Sequence, residues 1–419
     1  PESLRQAMHG ARSAYYLAHS LDVAGDFVQA ETAAARNFAR AAREAGLERV
    51  VYLSALSQGE GESPHVRSRR LVGEALRESG AVVVEFRASI VIGTGSMPFE
   101  VMRALVERLP VMATPKWVSV AVQPIASGDL ISYLLAGLEA PVPGSRTYEV
   151  GGSEAVPYRE VMREYARQRG LRRLMIPVPL ITPGLSSWWL RLVTPAHSRM
   201  GRRIVDSVRH DSVVADGAAL SDFPVRPAGL KASIRQALED EQLAIFDAAR
   251  AIAGTVERPR RARVGNMLVE RRELSVGREP EDAFRLISSI GGSTGWYWGN
   301  TLWRLRGMID RALGGPGMRR TVKRSHRAPS PGDIVDFWRV EALEQGRMLR
   351  LRAEMKLPGR AWLELDVRPD PDRVGASIVG QTAVFDPRGL VGLLYWNALY
   401  PIHARTFNGM LRGLARAAE

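Results

Sequence analysis

In SPHVRSRRLVGEALRESG, residues 63–80, His65 and Arg69 are four residues apart, so a helix would carry them on one face. An imidazole titrates near neutral pH, at about 6.5 when unperturbed, and can serve as a general acid. Arginine stays protonated at any usable pH, so Arg69 can supply a fixed positive charge but no proton. Ser54, near the end of the apolar run VVYLSAL, adds a hydroxyl at a strand end. An ordinary helix start accounts for the same residues. Ser63 suits an N-cap and Pro64 the first helical position. His65 then falls in the first turn, where the positive helix end disfavours imidazolium and weakens it as an acid. Altered proton chemistry, a cofactor site without chemistry and a plain surface helix all fit.

The elements that would position these residues are legible. AYYLAHSL (14–21) reads as a short buried strand. The following segment repeats apolar residues at helical spacing, Phe27, Ala30, Ala34, Phe38, Ala41 and Ala42, until Gly46 ends it. ERVVYLSAL reads as a strand, 65–79 as a helix, and AVVVEFRASIVIG as a strand rich in β-branched residues. The alternation predicts a parallel sheet with crossover helices, and the apolar strands predict cover on both faces. Helices follow at 96–109, at SGDLISYLLAGLEA and at YREVMREYARQRG, with TYEVGG as a strand between the last two. ERPRRARVGN (257–266) marks a change of texture, and the domain boundary is placed near 262.

Beyond it lie six of the nine tryptophans. DIVDFWRVEAL, RMLRLRAEMKL, AWLELDVRP and ASIVGQTAVF, separated by Gly or Pro turns, predict an antiparallel meander between helices at about 280–290 and 389–416. The fold class is therefore α/β, with a partial Rossmann-type parallel sheet, followed by an α+β domain. Helix, meander and long closing helix are similar to a START-like helix-grip arrangement, an analogy of fold alone. The tryptophans fit a filled core better than a ligand cavity for the most part. Trp362 alternates with Ala361 and Leu363 and shares a face with Glu364 and Asp366, which predicts a polar pocket or solvent around it.

Composition excludes several chemistries. The chain of 419 residues has no cysteine, which removes disulfides, thiolate catalysis and Cys-based metal sites. The formal charge is +13, but acids are interspersed with arginine, which argues against a nucleic-acid partner. No H-E-x-x-H, G-x-S-x-G or Walker loop occurs and the seven histidines are scattered, so no metal site is expected. There is no signal peptide at the start and no apolar run of ~18 residues, so the chain reads as cytoplasmic. Basic residues concentrate between 304 and 327, and GLVGLLYWNALYPIH (389–403) is apolar but too short to span a bilayer. The pair suggests peripheral membrane contact, against the plainer reading of a solvated glycine-rich loop and a buried helix.

VVYLSAL, SPHVRSRRLVGEALRESG and VVEFRASIVIGTGS together resemble an atypical, NmrA-like short-chain dehydrogenase/reductase, over roughly residues 1–195. The remainder resembles an uncharacterised Trp-rich domain that follows this half in bacterial proteins, on GGSTGWYW, LWRLRGMIDRALGGPGMRR, GDIVDFWRVE, AEMKLPGRAWLE and LYWNALYPIH. The resemblance implies NAD or NADP. It puts His65 and Arg69 where the family carries Tyr-x-x-x-Lys, and Ser54 where it carries a catalytic Ser. Arg69 would hold ribose hydroxyls. His19, Ser20 and Asn37 fall on the adenine and ribose side, and Arg87, Ala88 and Ser89 near the nicotinamide. The glycine-rich pyrophosphate turn expected between first strand and first helix is not found: GTGSMP (93–98) follows a later strand and GGPG (314–317) lies in the other half. Family order makes AYYLAHS the fourth strand. With about 30 residues per βαβ unit, on the order of 60 residues are implied upstream of Pro1, and weak or absent cofactor binding by this chain. The function implied is an oxidoreductase or isomerase acting on a small apolar carbonyl compound. The alternatives are a cofactor-sensing or scaffold protein without turnover, and a lipid-binding module.

Overall fold

Two adjacent runs, RVVYLSA and VVVEFRA, are mostly apolar and rich in valine, and both are buried in their middles and only partly buried at their first residues. They form the centre of a four-stranded parallel sheet. In this computed structural model, residues 2–18, 27–56, 64–178, 210–252, 254–256, 258–292, 294–319 and 329–418 are described. They divide into two compact units, Pro1–Asp240 and Glu241–Glu419. The sequence reading sets the boundary near 262, at the charged segment 257–266.

The first unit opens with α1 (Glu2–Met8), β1 (Ser13–Tyr16), α2 (Phe27–Ala45), β2 (Arg49–Ala55), α3 (Pro64–Arg77) and β3 (Val82–Ala88). The fourth strand, β4 (Arg146–Val150), joins beside β3, giving the order β1–β2–β3–β4, all parallel. Val50, Tyr52 and Val83 pack on one face with Phe38, Val72 and Leu76 of the helices. Val51, Val84 and Phe86 pack on the other with Tyr133 and Tyr148. This is a Rossmann-like α/β arrangement, as the apolar strand runs predict. Gly46 and Gly80 end α2 and α3 with positive φ, 69° and 80°, which only glycine adopts without strain.

The run AVVVEFRASIVIG is not one strand. After Ala88 the chain leaves the sheet, and Val91–Ile92 pairs instead with Ile125–Ala126. β1 is shorter than predicted, and His19 and Ser20 lie outside the described residues.

The second unit is an α+β domain. The division between units falls within α7 (Leu230–Arg250), which the sequence reading does not identify. (α4 is Met97–Arg108, α5 Ser127–Glu139 and α6 Tyr158–Gln168.) Then come β5 (Arg260–Val264), β6 (Met267–Val276), α8 (Pro280–Ser288), α9 (Asn300–Ala312), β7 (Ile334–Val335), β8 (Trp338–Glu344), β9 (Met348–Ala353), β10 (Gly359–Pro369), β11 (Ser377–Pro387) and α10 (Gly389–Ala418). The sheet has seven strands in the order β5–β6–β11–β10–β9–β8–β7, antiparallel throughout. The predicted meander accounts for its centre. β6 is missed because its sequence, MLVERRELSV, carries Glu270, Arg271, Arg272 and Glu273 in succession, which hides the alternation.

The prediction that Trp362 faces a polar pocket or solvent is corrected. It does share a face with Glu364 and Asp366, but all three are buried. Phe246 of α7 meets the Trp362 ring edge-on at 6.5 Å, and Glu341 accepts its indole N–H at 3.2 Å. Glu364 takes Arg250 and Arg350, both at 2.8 Å. On this face Arg271 is fully buried and grips Asp366 with two bonds, of 2.7 and 3.0 Å. Gly380 makes room for that pair: a Cβ there would lie 2.5 Å from both Arg271 and Asp366. Gly380→Ala is therefore expected to lower the stability of the second unit by on the order of 2 kcal/mol through overpacking, read as a shifted denaturant midpoint.

Candidate functional site

Ser54 and Arg87 stand opposite each other near the C-terminal ends of β2 and β3, the edge where open parallel α/β sheets bind ligands. The surrounding side chains are already occupied. Ser54 is buried on the α2–α3 side, next to Tyr52, whose hydroxyl donates to the Arg69 carbonyl at 3.0 Å. Burial pushes the Tyr52 phenol up to about 12, against the opposing influence of Arg69 and Ser54. Arg69 is buried too. Its guanidinium lies 3.6 Å from Glu31 of α2 and donates to the Ala18 carbonyl at 3.3 Å. Ser68 donates to the same glutamate. Arg69 thus ties α3 to α2 instead of reaching outward.

Arg87 and Ala88 are the last residues of β3. Arg87 donates to Glu85 at 2.9 Å, and that carboxylate also takes Arg77 at 2.8 Å. Ser89 is buried, 2.8 Å from the Ser212 hydroxyl, and accepts the Gln123 N–H at 3.1 Å. Asn37 is exposed on α2. His65 is the second residue of α3, and its side chain lies outside what is described, as do His19 and Ser20. The structure therefore brings Ser54 and Arg69 together around Tyr52, places Arg87 and Ser89 on the neighbouring strand, and leaves Asn37 apart. The described side chains among them are held by internal partners, or, for Asn37, turned to solvent. They do not present the free donors that a nicotinamide dinucleotide needs. Glu31 and Glu85, the buried acids that occupy Arg69 and Arg87, went unnoticed because nothing in a sequence marks a helical or strand glutamate as buried.

The second unit holds a different arrangement. A cavity of about 480 Å³ lies between the sheet and helices α9 and α10. Its walls include Trp338, Ala361 and Phe385 from the strands, Trp303 from α9, and Trp396 and Phe407 from α10. Four wall residues have a buried polar atom without a hydrogen-bond partner: Nε1 of Trp303, Nε1 of Trp338, one terminal nitrogen of Arg306 and Nδ1 of His403. The Arg306 nitrogen is 4.0 Å from Asp310, beyond hydrogen-bond distance. Burial, reinforced by the charge of Arg306, pulls the His403 imidazole down to about 4, so it is neutral at physiological pH. Among the described residues no cluster of His, Asp and Glu is able to hold a metal ion.

Residues 265–410 match a family described as "Protein of unknown function (DUF2867)". The chain matches none of the curated proteins with which it was compared. Solved structures similar to it include Citrobacter sp. triphenylmethane reductase complexed with NADP(H), at 16% identity, TM-score 0.47, covering 57% of this chain and 80% of that one. MoeE5 in complex with UDP-glucuronic acid and NAD is similar at 16% identity, TM-score 0.44, covering 57% and 82%. A nucleoside-diphosphate-sugar epimerase from Staphylococcus aureus is similar at 13% identity, TM-score 0.45, covering 56% and 80%.

The His403 environment has a measurable consequence. Above the unfolded-state pKa of about 6.5 neither state carries the proton, and the group contributes nothing to pH dependence. As the pH falls below that value the unfolded chain takes up a proton that the buried imidazole refuses until about 4, so stability drops through this window and levels off below it. His403→Phe is expected to remove this share of the acid destabilisation. The difference in unfolding free energy between variant and wild type should grow by up to about 3 kcal/mol between neutral pH and pH ~4. A pH-independent difference would contradict the assignment.

Proposed function

We propose that the second unit is a receptor for a small apolar or lipidic molecule carrying a hydrogen-bond acceptor. The observation that carries this reading is the cavity itself. Its volume of about 480 Å³ falls within the range of small-molecule sites, which are mostly apolar with a few polar groups. A buried donor left without a partner costs about 1–3 kcal/mol, and an acceptor on the ligand would offset that at Trp303, Trp338 or Arg306. A carboxylate or carbonyl group fits, with the Arg306 guanidinium as a charged donor and the Trp303 and Trp338 indoles as neutral ones. The reading treats the unit as START-like, with the long α10 closing a sheet-lined chamber.

A second reading concerns the first unit, whose fold class favours a nicotinamide cofactor, NAD or NADP. Oxidoreductase or isomerase chemistry on a small apolar carbonyl compound, with Ser54 and His65 as its groups, depends on that cofactor. A cofactor sensor or scaffold without turnover uses the same fold without the chemistry. The internal partners of Arg69, Arg87 and Ser89 favour weak or no cofactor binding by the chain as it stands.

The receptor reading is tested by solvent extraction of the purified protein with mass analysis, and by titrating tryptophan fluorescence with dodecanoic acid. Saturable quenching is expected, and Ala361→Leu, which narrows the cavity, should weaken it at least about tenfold, the equivalent of 1.4 kcal/mol. No bound molecule and no saturation would sink the reading. Calorimetric titration with NADPH is expected to show no binding in the micromolar range, and micromolar affinity would reverse the account of Arg69 and Ser89. If it binds, loss of NADPH fluorescence through oxidation on adding carbonyl compounds marks an enzyme, and binding without oxidation marks a sensor.

A further inference from the structure

Helix α9 is amphipathic the wrong way round for a soluble fold. An ordinary surface helix turns its apolar stripe to the core and its charges outward. The buried residues of α9 are Trp303, Gly307 and Asp310, while Leu302, Leu305, Met308 and Ile309 are exposed, Met308 at 63%. Asp310, the only acid of the helix, is fully buried, and its carboxylate accepts the N–H groups of Gly317 at 2.9 Å and Lys356 at 2.7 Å. The charges α9 shows to solvent are therefore positive, at Arg304 and Arg311.

Helix α10 repeats the pattern. It has no acidic residue in thirty positions. Leu390, Val391 and Leu394 are exposed in its first turns and Ile402 further along, with Arg388 and Arg405 also exposed. Leu302, Leu305, Ile309 and Ile402 are at once exposed and part of the cavity wall. The apolar surface is thus continuous with the cavity and forms its mouth. No described helix is long and apolar enough to cross a membrane. Exposed leucines among basic residues, with the acid withdrawn, match the headgroup zone of an anionic bilayer.

We propose that α9 and the first half of α10 dock on an anionic lipid surface, from which the cavity takes up its ligand. The uptake rests on the receptor reading above, whereas the docking rests on the exposed face alone. A peripheral contact of this kind needs both apolar insertion and charge, because either one by itself binds weakly.

The test uses the full chain in co-sedimentation with phosphatidylcholine vesicles and with vesicles of phosphatidylcholine mixed with phosphatidylglycerol. Binding is expected to the mixed vesicles, and to fall between about 0.1 M and about 1 M salt as the Debye length shrinks from ~10 to ~3 Å. Met308→Glu should weaken it at least about tenfold, and Arg304→Gln and Arg311→Gln about fivefold each. Met308 is not part of the cavity wall, so Met308→Glu should still bind soluble dodecanoic acid, which also shows that the variant is folded. Dodecanoic acid binding without vesicle binding overturns the docking and leaves the receptor reading intact. Vesicle binding without dodecanoic acid binding does the reverse. A dimer in solution that Met308→Glu dissociates, with no vesicle binding, would mean that a second copy covers this face, and would also overturn the docking.

Discussion

Buried charge has to be matched inside the protein, and in the second unit this requirement fixes the sheet. Removing an ion from water costs several kcal/mol even after relaxation, so four charged residues in a row on β6 are tolerable only with partners on both faces. Arg271 finds Asp366, Glu273 and Thr382 on one side. On the other, Arg272 lies 2.5 Å from Glu270 and 2.5 Å from Asn408 of α10, and Tyr400 of the same helix donates to Glu270 at 2.8 Å. A shift of β6 by one residue would exchange these faces and separate Arg271 from Asp366 and Thr382, and Arg272 and Glu270 from Asn408 and Tyr400. The same contacts hold α10 over the sheet at its middle. The cavity lies around the neighbouring Trp396, His403 and Phe407, where the strands present Ala361 and Ala383, residues too small to fill the gap.

The matching is incomplete at some positions. Glu31–Arg69, Glu85–Arg77 and Glu364–Arg350 are compensated pairs, while Glu270, Arg272 and Gln381 on the sheet and the wall residues Trp303, Trp338, Arg306 and His403 each keep a buried polar atom without a partner. A fold selected for stability alone would have placed apolar groups there, since replacing both partners of a buried contact by apolar ones costs little. Four such atoms gathered around one apolar space are what the receptor proposal rests on. Near the strand ends of the first unit, the described side chains Arg69, Arg87 and Ser89 are instead matched by Glu31, Glu85 and Ser212.

How much of this was legible follows from what each residue's signal measures. Strands β2 and β3 and helices α2 and α3 were readable because burial of both sheet faces leaves an unbroken β-branched run, and glycines at 46 and 80 mark the helix ends. The central meander of the second unit was readable by alternation. β6 was not, because paired charges on both faces imitate a polar loop. Trp362 was placed on the correct face but in the wrong environment: alternation reports which residues share a face, and α7, which supplies Phe246 to cover it, lies more than a hundred residues away in sequence. At the candidate site, Ser54 and Arg69 were identified, and their neighbour Glu31 was not. The ion pair that commits Arg69 is a property of two helices together. For His65, spacing gave a position on α3 and no more.

Helix α9 shows the limit most clearly. The sequence reading sees in Arg304–Arg327 a basic window, suited to a membrane surface or to a solvated, glycine-flexible loop, and assigns no helix there. The stripe that faces inward is Trp303, Gly307 and Asp310, with one aromatic, one residue without a side chain and one charge. Gly307 is there for close approach, since a Cβ would sit 2.6 Å from Met318. Asp310 is there to hold the turn at Gly317 and the β9–β10 connection at Lys356. Every inward position is thus explained by the fold. Of the outward apolar residues, Leu302, Leu305 and Ile309 also border the cavity, and Met308 does not. That separation, rather than hydrophobicity as such, makes the outer surface of α9 informative.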